Sequence, residues 1–278
     1  MTIAPRLHLD LVAVLSSSGV EDAGREATAI IEAASRQPGE GFEAKARRMA
    51  TQRAAGTPLA YLIGQTSFMG VEVFIAEGAL IPRPETELLG RTSLEILDRE
   101  RASTPPRVID MCCGSGNLAC ALAKLRPTIH VWASDLTDGA VAVARRNVEH
   151  LDLGSRAVVA QGDLFAPLTG LGLEDTIDMV VCNPPYISTG KLSKERADLL
   201  SHEPREAFDG GPYGVSIFQR VIRDAVTFLR PGGHLLFEIG AGQDRQVSLL
   251  FNRAGAYEEV VARADTNNTP RVVIGRKK

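Results

Sequence analysis

The sequence predicts an α/β protein: a Rossmann-like, doubly wound, mostly parallel sheet with a small N-terminal helical domain and a linking β-hairpin. Three observations predict it. From Pro106 onward, short apolar runs alternate with segments of helical spacing, the pattern of a parallel sheet covered by helices. Polar residues, Asp110, Asp135, Asp163 and Asn183, stand at or just past the ends of successive runs. Open α/β sheets put their ligands at that edge. Before about Leu62, apolar residues recur at helical spacing instead. The expected boundaries are residues 1–66 for the helical domain, 67–84 for the hairpin and 85–278 for the sheet domain.

In the helical part, Leu7, Leu9, Leu11, Val12 and Leu15 form one apolar stripe, broken by Ser16 to Gly19. Glu21-Asp22 opens a second helix, since acids suit a helix start, with Ala27, Ile30, Ile31 and Ala34 inward. Gln37-Pro38-Gly39 stops it. A third helix runs from Phe42 to Ala54, before Gly56. Such a bundle is too small to be a catalytic core alone. Phe68 to Phe74 then suits a strand bent at Gly70, and Gly78 to Ile81 a second strand that completes the hairpin.

Past Pro82-Arg83-Pro84, Glu85 to Arg99 has helical spacing. Arg107 to Asp110 is a strand ending in an acid, and Asn117 to Leu125 a helix. Ile129 to Ser134 is a strand with Asp135 at its end, and Gly139 to His150 a helix. Ala157 to Gln161 and Ile177 to Cys182 are strands, followed by Asp163 and Asn183. Val215 to Leu229 is a helix, Gly233 to Ile239 a strand and Gln243 to Ala254 a helix. Val260 to Ala264 and Arg271 to Gly275 read as a closing antiparallel pair.

Composition narrows the classes. With 44% hydrophobic and 23% charged residues, the 278-residue chain is ordinary for a soluble globular protein. A net charge of −3 gives no basic surplus for nucleic acid or anionic membranes, and 5% aromatics do not favour broad base stacking. Met1 to Asp10 lacks the pattern of a signal peptide, so none is expected, and no apolar run approaches the length of a membrane span. Cys112, Cys113, Cys120 and Cys182 lack zinc-type spacing, so buried, reduced thiols in a cytoplasmic protein are expected, and no metal.

The most informative stretch is Asn183-Pro184-Pro185-Tyr186. Two prolines after a buried strand end it and stiffen the exit. An amide side chain, free carbonyls and an aromatic ring make a receptor for a flat nitrogen group with hydrogens to donate. A Pro-rich turn with a packed tyrosine is the plainer alternative. Asp110-Met111-Cys112-Cys113-Gly114-Ser115-Gly116 lies between a strand and a helix, where glycines let backbone approach a ligand. It is neither a Walker loop nor the full Gly-x-Gly-x-x-Gly fingerprint. Asp135, about twenty residues on, stands where an acid reaches a ribose diol, though it or Thr137 can also cap a helix. Asp163 can accept from an adenine amino group or cap a turn.

This order of motifs resembles the class I S-adenosylmethionine-dependent methyltransferases, and Asn-Pro-Pro-Tyr the subset that methylates nitrogen conjugated to a planar system. The flanks are similar to the HemK/PrmC family: Arg53-x-x-Gly56-x-Pro58-Leu59-x-Tyr61-Leu62-x-Gly64, Phe68-x-Gly70 and Leu80-Ile81-Pro82-Arg83-Pro84-Glu85-Thr86-Glu87. Glu203-Pro204-Arg205-x-Ala207-x-x-Gly210-Gly211-x-x-Gly214 and Arg271-Val272-Val273-x-Gly275-Arg276 also match, so the likeness covers nearly the whole chain. That family methylates glutamine in the Gly-Gly-Gln loop of peptide-chain release factors, its helical domain helping to hold the release factor. The resemblance implies S-adenosylmethionine as cofactor and S-adenosylhomocysteine as product. It implies cofactor contacts from Asp110, Cys112, Gly114, Gly116, Asp135, Leu136, Asp163, Leu164 and Asn183. Catalysis falls to Asn183, Pro184 and Tyr186, and substrate contact to these with Pro185, Arg83, Glu85 and Glu203.

Two departures stand out. The family usually has Gly-Thr-Gly-Ser-Gly where this chain has Cys112-Cys113-Gly114-Ser115-Gly116, and Ser35 to Met49 matches the family bundle poorly. A diverged enzyme acting on a free amino acid, such as the arginine guanidino group, is therefore the second reading. A DNA adenine methyltransferase shares Asn-Pro-Pro-Tyr but must flip a base and carry a basic face. A non-catalytic S-adenosylmethionine-binding scaffold is the fourth. Arg83 with Glu85, and Glu203 with Arg205, are either cleft residues or surface ion pairs of little worth. Glu238 either lines the site or caps, and His202 is structural.

Overall fold

The computed structural model describes residues 5–36, 41–100, 104–190, 192, 203–211 and 214–278. The chain forms two compact units, Met1–Thr66 and Ser67–Lys278. The Gln37-Pro38-Gly39 stop and His202 lie outside the described residues.

The first unit is helical: α1 (Pro5–Ser17), α2 (Ala23–Arg36), α3 (Phe42–Ala54) and the short α4 (Leu59–Ile63). Leu7, Leu11 and Leu15 are buried against Ala27, Ile30, Ile31 and Ala34 of α2 and Ala46, Met49 and Ala50 of α3. Leu9, expected in the same stripe, is 67% exposed instead. Two residues from Leu7 and Leu11, it points about 200° away on a 3.6-residue turn. Arg53 in the last turn of α3 grips Glu26 of α2 with two hydrogen bonds, 2.6 and 3.1 Å long. The fourth helix, not separated by the sequence pattern, closes on Gly64 in the left-handed conformation (φ 80°).

The hairpin differs from expectation. Its strands are β1 (Gln65–Phe68) and β2 (Val71–Phe74), joined at Met69 (φ 52°) and Gly70 (φ 82°). Two positive-φ residues make the tight turn whose twist suits a hairpin. The expected single strand thus folds back on itself, and residues 78–81 form no strand: a turn closed by the Ala79 N–H on the Ala76 carbonyl (3.4 Å) leads into extended chain there. Polar Gln65-Thr66-Ser67 hid the first strand.

Helix α5 (Thr86–Arg99) leads into the main sheet. There follow β3 (Arg107–Met111), α6 (Asn117–Leu125), β4 (His130–Asp135), α7 (Asp138–His150), β5 (Ala157–Gln161) and β6 (Ile177–Cys182). After a loop come α8 (Ser216–Phe228), β7 (Leu229–Glu238), α9 (Asp244–Ala254), β8 (Tyr257–Ala264) and β9 (Pro270–Lys277). The strand order is β5-β4-β3-β6-β7-β9-β8. The first five run parallel, and β9 joins β7 and β8 antiparallel. The order reverses between β3 and β6, so a crevice opens there at the carboxyl edge.

Side chains alternate across this sheet. Ile109, Met111, Val180, Cys182, Leu235, Phe237 and Val273 pack with Phe218, Val221 and Ile222 of α8 and Val247 and Phe251 of α9. Phe237 meets Phe218 edge-on, with centroids 5.0 Å apart. Asp110 and Glu238 alternate with these residues and so face the opposite side. There the backbone N–H of Ala119 in α6 and the Thr86 hydroxyl of α5 meet them. Asp110 is not the last residue of its strand, as expected, but is enclosed one residue before Met111. At the opposite edge, the buried carboxylate of Asp178 accepts from the Arg107 backbone N–H (2.8 Å) and Arg230 Nε (2.7 Å), fastening the strand beginnings.

Candidate functional site

The turn after β3 carries the first half of the site. Gly114 donates its backbone N–H to Asp135 Oδ2 at 2.9 Å, and Cys113 donates its own to the Ser134 carbonyl at 3.0 Å. The other Asp135 oxygen accepts from the Thr137 N–H (3.1 Å) and hydroxyl (3.2 Å). Asp135 thus clamps the glycine turn to the end of β4, while Thr137 is the residue that caps α7.

Cys112 adopts φ 58°, the left-handed region that glycine takes at least cost. A side chain there costs about 1–2 kcal/mol. The Cys112 side chain turns toward Cys182 and packs against the core under the sheet. Burial pushes the thiols of Cys113 and Cys182 well up, and that of Cys120 to about 12. All four cysteines are free.

A cavity opens above this turn. Asp110, Cys112, Gly114, Asp135, Leu136, Asp163, Leu164 and Asn183 stand together on its wall. Gly116 does not: it lies behind, at φ 74°, where a Cβ would come within 3.0 Å of Ala144 on α7. Its role is close helix packing. Asp163 is half-exposed, and one of its oxygens accepts from Arg220 at 2.6 Å. Thr137, Ala140, Ile217 and the 78–80 turn also line the cavity. The sequence marks Thr137 only as a helix cap and Leu80 only within a shared motif, while Ala140 and Ile217 are ordinary apolar residues brought in by packing.

Asp110 is a fully buried carboxyl on this wall. Its Oδ2 accepts from Ala119 N–H at 2.9 Å, while the buried Oδ1 has no partner among the described residues. Burial raises its pKa from 3.8 to about 7; the Ala119 bond opposes the rise and Asp135 adds to it. Between those two values the folded protein holds a proton that the unfolded chain releases. Asp110 therefore favours folding below about pH 4, and that contribution is lost as pH rises to about 7. An Asp110→Asn variant, neutral at every pH, should melt several degrees above wild type at about pH 8 and show a smaller gain at about pH 5. Thermal melts at both pH values check this; equal gains would mean that Asp110 is not protonated on folding.

Beyond Asn183 lies a second cavity, lined by Asn183, Pro184, Tyr186, Arg83, Glu85, Phe208, Glu238, Gln243 and Arg271. Asn183 borders both cavities, with Pro185 on the first and Pro184 and Tyr186 on the second. Asn183 Nδ2 donates to Thr86 Oγ1 at 3.2 Å, which leaves Oδ1 for the cavities. Among the described residues no donor is seated on the Pro184 carbonyl. Burial, with the Glu238 charge second, pushes the Tyr186 hydroxyl up to about 12.

Backbone fit holds the tetrapeptide from behind. A Cβ on Gly210 would stand 2.6 Å from the Pro185 carbonyl oxygen, and one on Gly214 2.4 Å from that of Tyr186. Gln243 donates to the Tyr186 carbonyl at 3.1 Å and accepts from Gly240 N–H at 2.9 Å. The loop of Gly210 and Gly214 therefore lies directly on Pro185-Tyr186. Glu203 accepts from Ile81 N–H at 2.9 Å and pairs with Arg83. It is buried and lies on neither cavity wall, so it joins the 81–83 stretch to the segment after the tetrapeptide. Arg205 pairs with Asp209 at 3.0 Å. Glu238 is buried beside Thr86 and Tyr186, a placement the sequence left open between site and cap.

Among the described residues, no three His, Cys, Asp or Glu side chains gather as a metal site, and no helix is long and apolar enough to cross a membrane.

The chain is similar to known proteins. Residues 91–211 match the Methyltransferase small domain family. The release factor glutamine methyltransferase of Moorella thermoacetica is 42% identical over 206 residues, covering 74% of this chain and 70% of that protein. That of Bradyrhizobium diazoefficiens is 32% identical over 254 residues, covering 91% and 84%. Among solved structures, the N-terminal domain of human METTL16 in complex with SAH superposes with a TM-score of 0.55 at 17% identity, covering 74% of this chain and 76% of that one. A methyltransferase from Pyrococcus furiosus gives 0.51 at 15% identity, covering 76% and 91%. The structures speak for the class I methyltransferase fold. The sequence relatives go further: this chain belongs to the release factor glutamine methyltransferase family.

Proposed function

We propose that this chain transfers the methyl group of S-adenosylmethionine to the side-chain amide of glutamine in the Gly-Gly-Gln loop of peptide-chain release factors, in the cytoplasm. The observation that carries this reading is the meeting of two cavities at Asn183, with its amide oxygen and the Pro184 carbonyl free to accept. The substrate named for the relatives supports the choice of acceptor.

The first cavity suits the cofactor. The unpartnered Asp110 oxygen suits a cationic amino group. Asp135 suits a ribose diol, the Cys112–Gly114 backbone can pass close to the ligand, and Asp163, Leu136 and Leu164 border the place for a base. When bound, the cofactor supplies an electrophilic sulfonium methyl and leaves as S-adenosylhomocysteine.

An amide nitrogen is a poor nucleophile, because its lone pair is spread into the carbonyl. Asn183 Oδ1 and the Pro184 carbonyl each accept one N–H and so turn the remaining lone pair toward the methyl. Orientation of this kind is worth much of a barrier. The same oxygens favour the positive charge that develops on nitrogen. Tyr186 walls the acceptor, and Arg83 and Glu85 stand at the second cavity. The methylated nitrogen is acidic enough to lose its proton to water. Recognition of the macromolecule is assigned to the helical unit.

The test is methyl transfer from labelled S-adenosylmethionine to a purified release factor and, in parallel, to free glutamine and arginine. Label should appear on the release factor and vanish when the loop glutamine is replaced. Label on a free amino acid alone would overturn the acceptor and keep the chemistry.

A further inference from the structure

The direction of the Asn183 amide decides whether it offers the acceptor an oxygen or an N–H, and the chain must fix that choice. Nδ2 of Asn183 donates to Thr86 Oγ1 at 3.2 Å. A hydroxyl that accepts this bond has one proton left to donate. Glu238 shares the wall of the second cavity with Asn183, and the hydroxyls of Thr86 and Tyr186 act on its carboxyl as donors. It is 2% exposed, and its Oε2 is buried with no partner among the described residues, on the wall of the second cavity. A buried carboxyl oxygen without a partner is costly, so its place calls for an account.

We propose that Glu238 is a positioning residue: by accepting from Thr86 it commits that hydroxyl to receive Asn183 Nδ2, and so keeps the Asn183 oxygen turned to the acceptor nitrogen. This rests on the reading of Asn183 given above, and it adds Thr86 and Glu238 as the pair that sets the amide's orientation. Without the carboxyl, the Thr86 hydroxyl is free to donate to Asn183 Oδ1. The amide then turns over and presents N–H to N–H. Glu85 and Arg271 also face the carboxyl, one raising and one lowering its pKa; burial is the largest influence and takes it to about 7. Arg271 is itself held by Asp265 at 3.2 Å.

The experiment compares wild type with Glu238→Gln, Glu238→Leu, Thr86→Val and the Glu238→Leu/Thr86→Val pair. Readouts are kcat and KM with labelled S-adenosylmethionine and the acceptor that wild type labels, and the cofactor Kd by calorimetry. Glu238→Leu should lower kcat about 30-fold, the size usual for groups that orient a reacting ligand. Cofactor Kd should change little. Glu238→Gln keeps an acceptor oxygen and should recover most of kcat. Thr86→Val should match Glu238→Leu, and the double variant should be no slower than either, because both act through one amide. Full activity in Glu238→Leu, or losses that multiply in the double variant, would overturn the proposal. Should Glu238→Leu fail to fold, Thr86→Val and Glu238→Gln still decide it, since a kcat loss without a Kd change in the first and recovery in the second are both required. Labelling of free amino acids alone by wild type would defeat the release-factor reading and leave this test intact.

Discussion

Asn183→Ala should lower methyl transfer by about 10³-fold while cofactor affinity changes only a few-fold. The side chain borders both cavities, yet its one hydrogen bond among the described residues goes to Thr86. Removing it deletes one of the two acceptors proposed to turn the nitrogen lone pair toward the methyl. It leaves Asp110, Asp135 and the glycine turn unchanged. Loss of one half-buried hydrogen bond costs about 1 kcal/mol, so the variant stays folded. Initial rates with labelled cofactor and calorimetric titration of the same preparation separate the two effects. Retained transfer would show that Asn183 is not where the nitrogen is held, and the proposed site would fall with it.

Gly214→Ala should be nearly as damaging to activity, although residue 214 need not touch the reacting groups. It sits at φ 68°, and a Cβ there would stand 2.4 Å from the Tyr186 carbonyl oxygen and 3.2 Å from its carbon. No rotamer relieves a clash with backbone. Either Gly214 or the tetrapeptide must move. Left-handed strain and overpacking together cost about 3 kcal/mol. A shift of Pro184 and Tyr186 by an ångström is worth about 10²-fold in rate. The measurement pairs a denaturant unfolding curve with kcat. Wild-type values for both would mean that Gly214 can withdraw and does not set the position of the tetrapeptide. Gly242 is the natural control: it too has a positive φ (83°), but a Cβ there meets nothing within 4 Å. Gly242→Ala should show the backbone strain without the displacement.

Much of this was legible in the chain. Strand–helix alternation after Pro106 gave the sheet nearly element by element, because a buried parallel strand needs a continuous apolar run and an amphipathic helix a 3.6-residue repeat. The boundaries of α3, α6, β5 and β6 follow directly from those patterns. Polar residues at strand ends marked the carboxyl edge, and Asn183-Pro184-Pro185-Tyr186 lies there after β6, on the walls of both cavities. Local pattern is weakest at β1, whose polar residues hide the hairpin's first strand, and at Leu9, which is apolar yet lies on the exposed side of α1, two residues from the buried stripe.

Tertiary structure alone decided how these parts act on one another. Periodicity carries the direction of a side chain relative to its own element, and contacts between residues far apart in sequence depend on which elements meet. So the sequence named Asp135 but not its hold on Gly114, and Gly116 but not its fit against Ala144. It named Arg83 and Glu203 as separate candidates, not as a tie between two segments. Thr86 and Glu238, 152 positions apart by their numbers, come together only because α5 begins where β7 ends. Burial, which turns Asp110 and Glu238 from ordinary acids into groups near pH 7, belongs to the assembled fold as well, since desolvation is set by every element packed around a carboxyl.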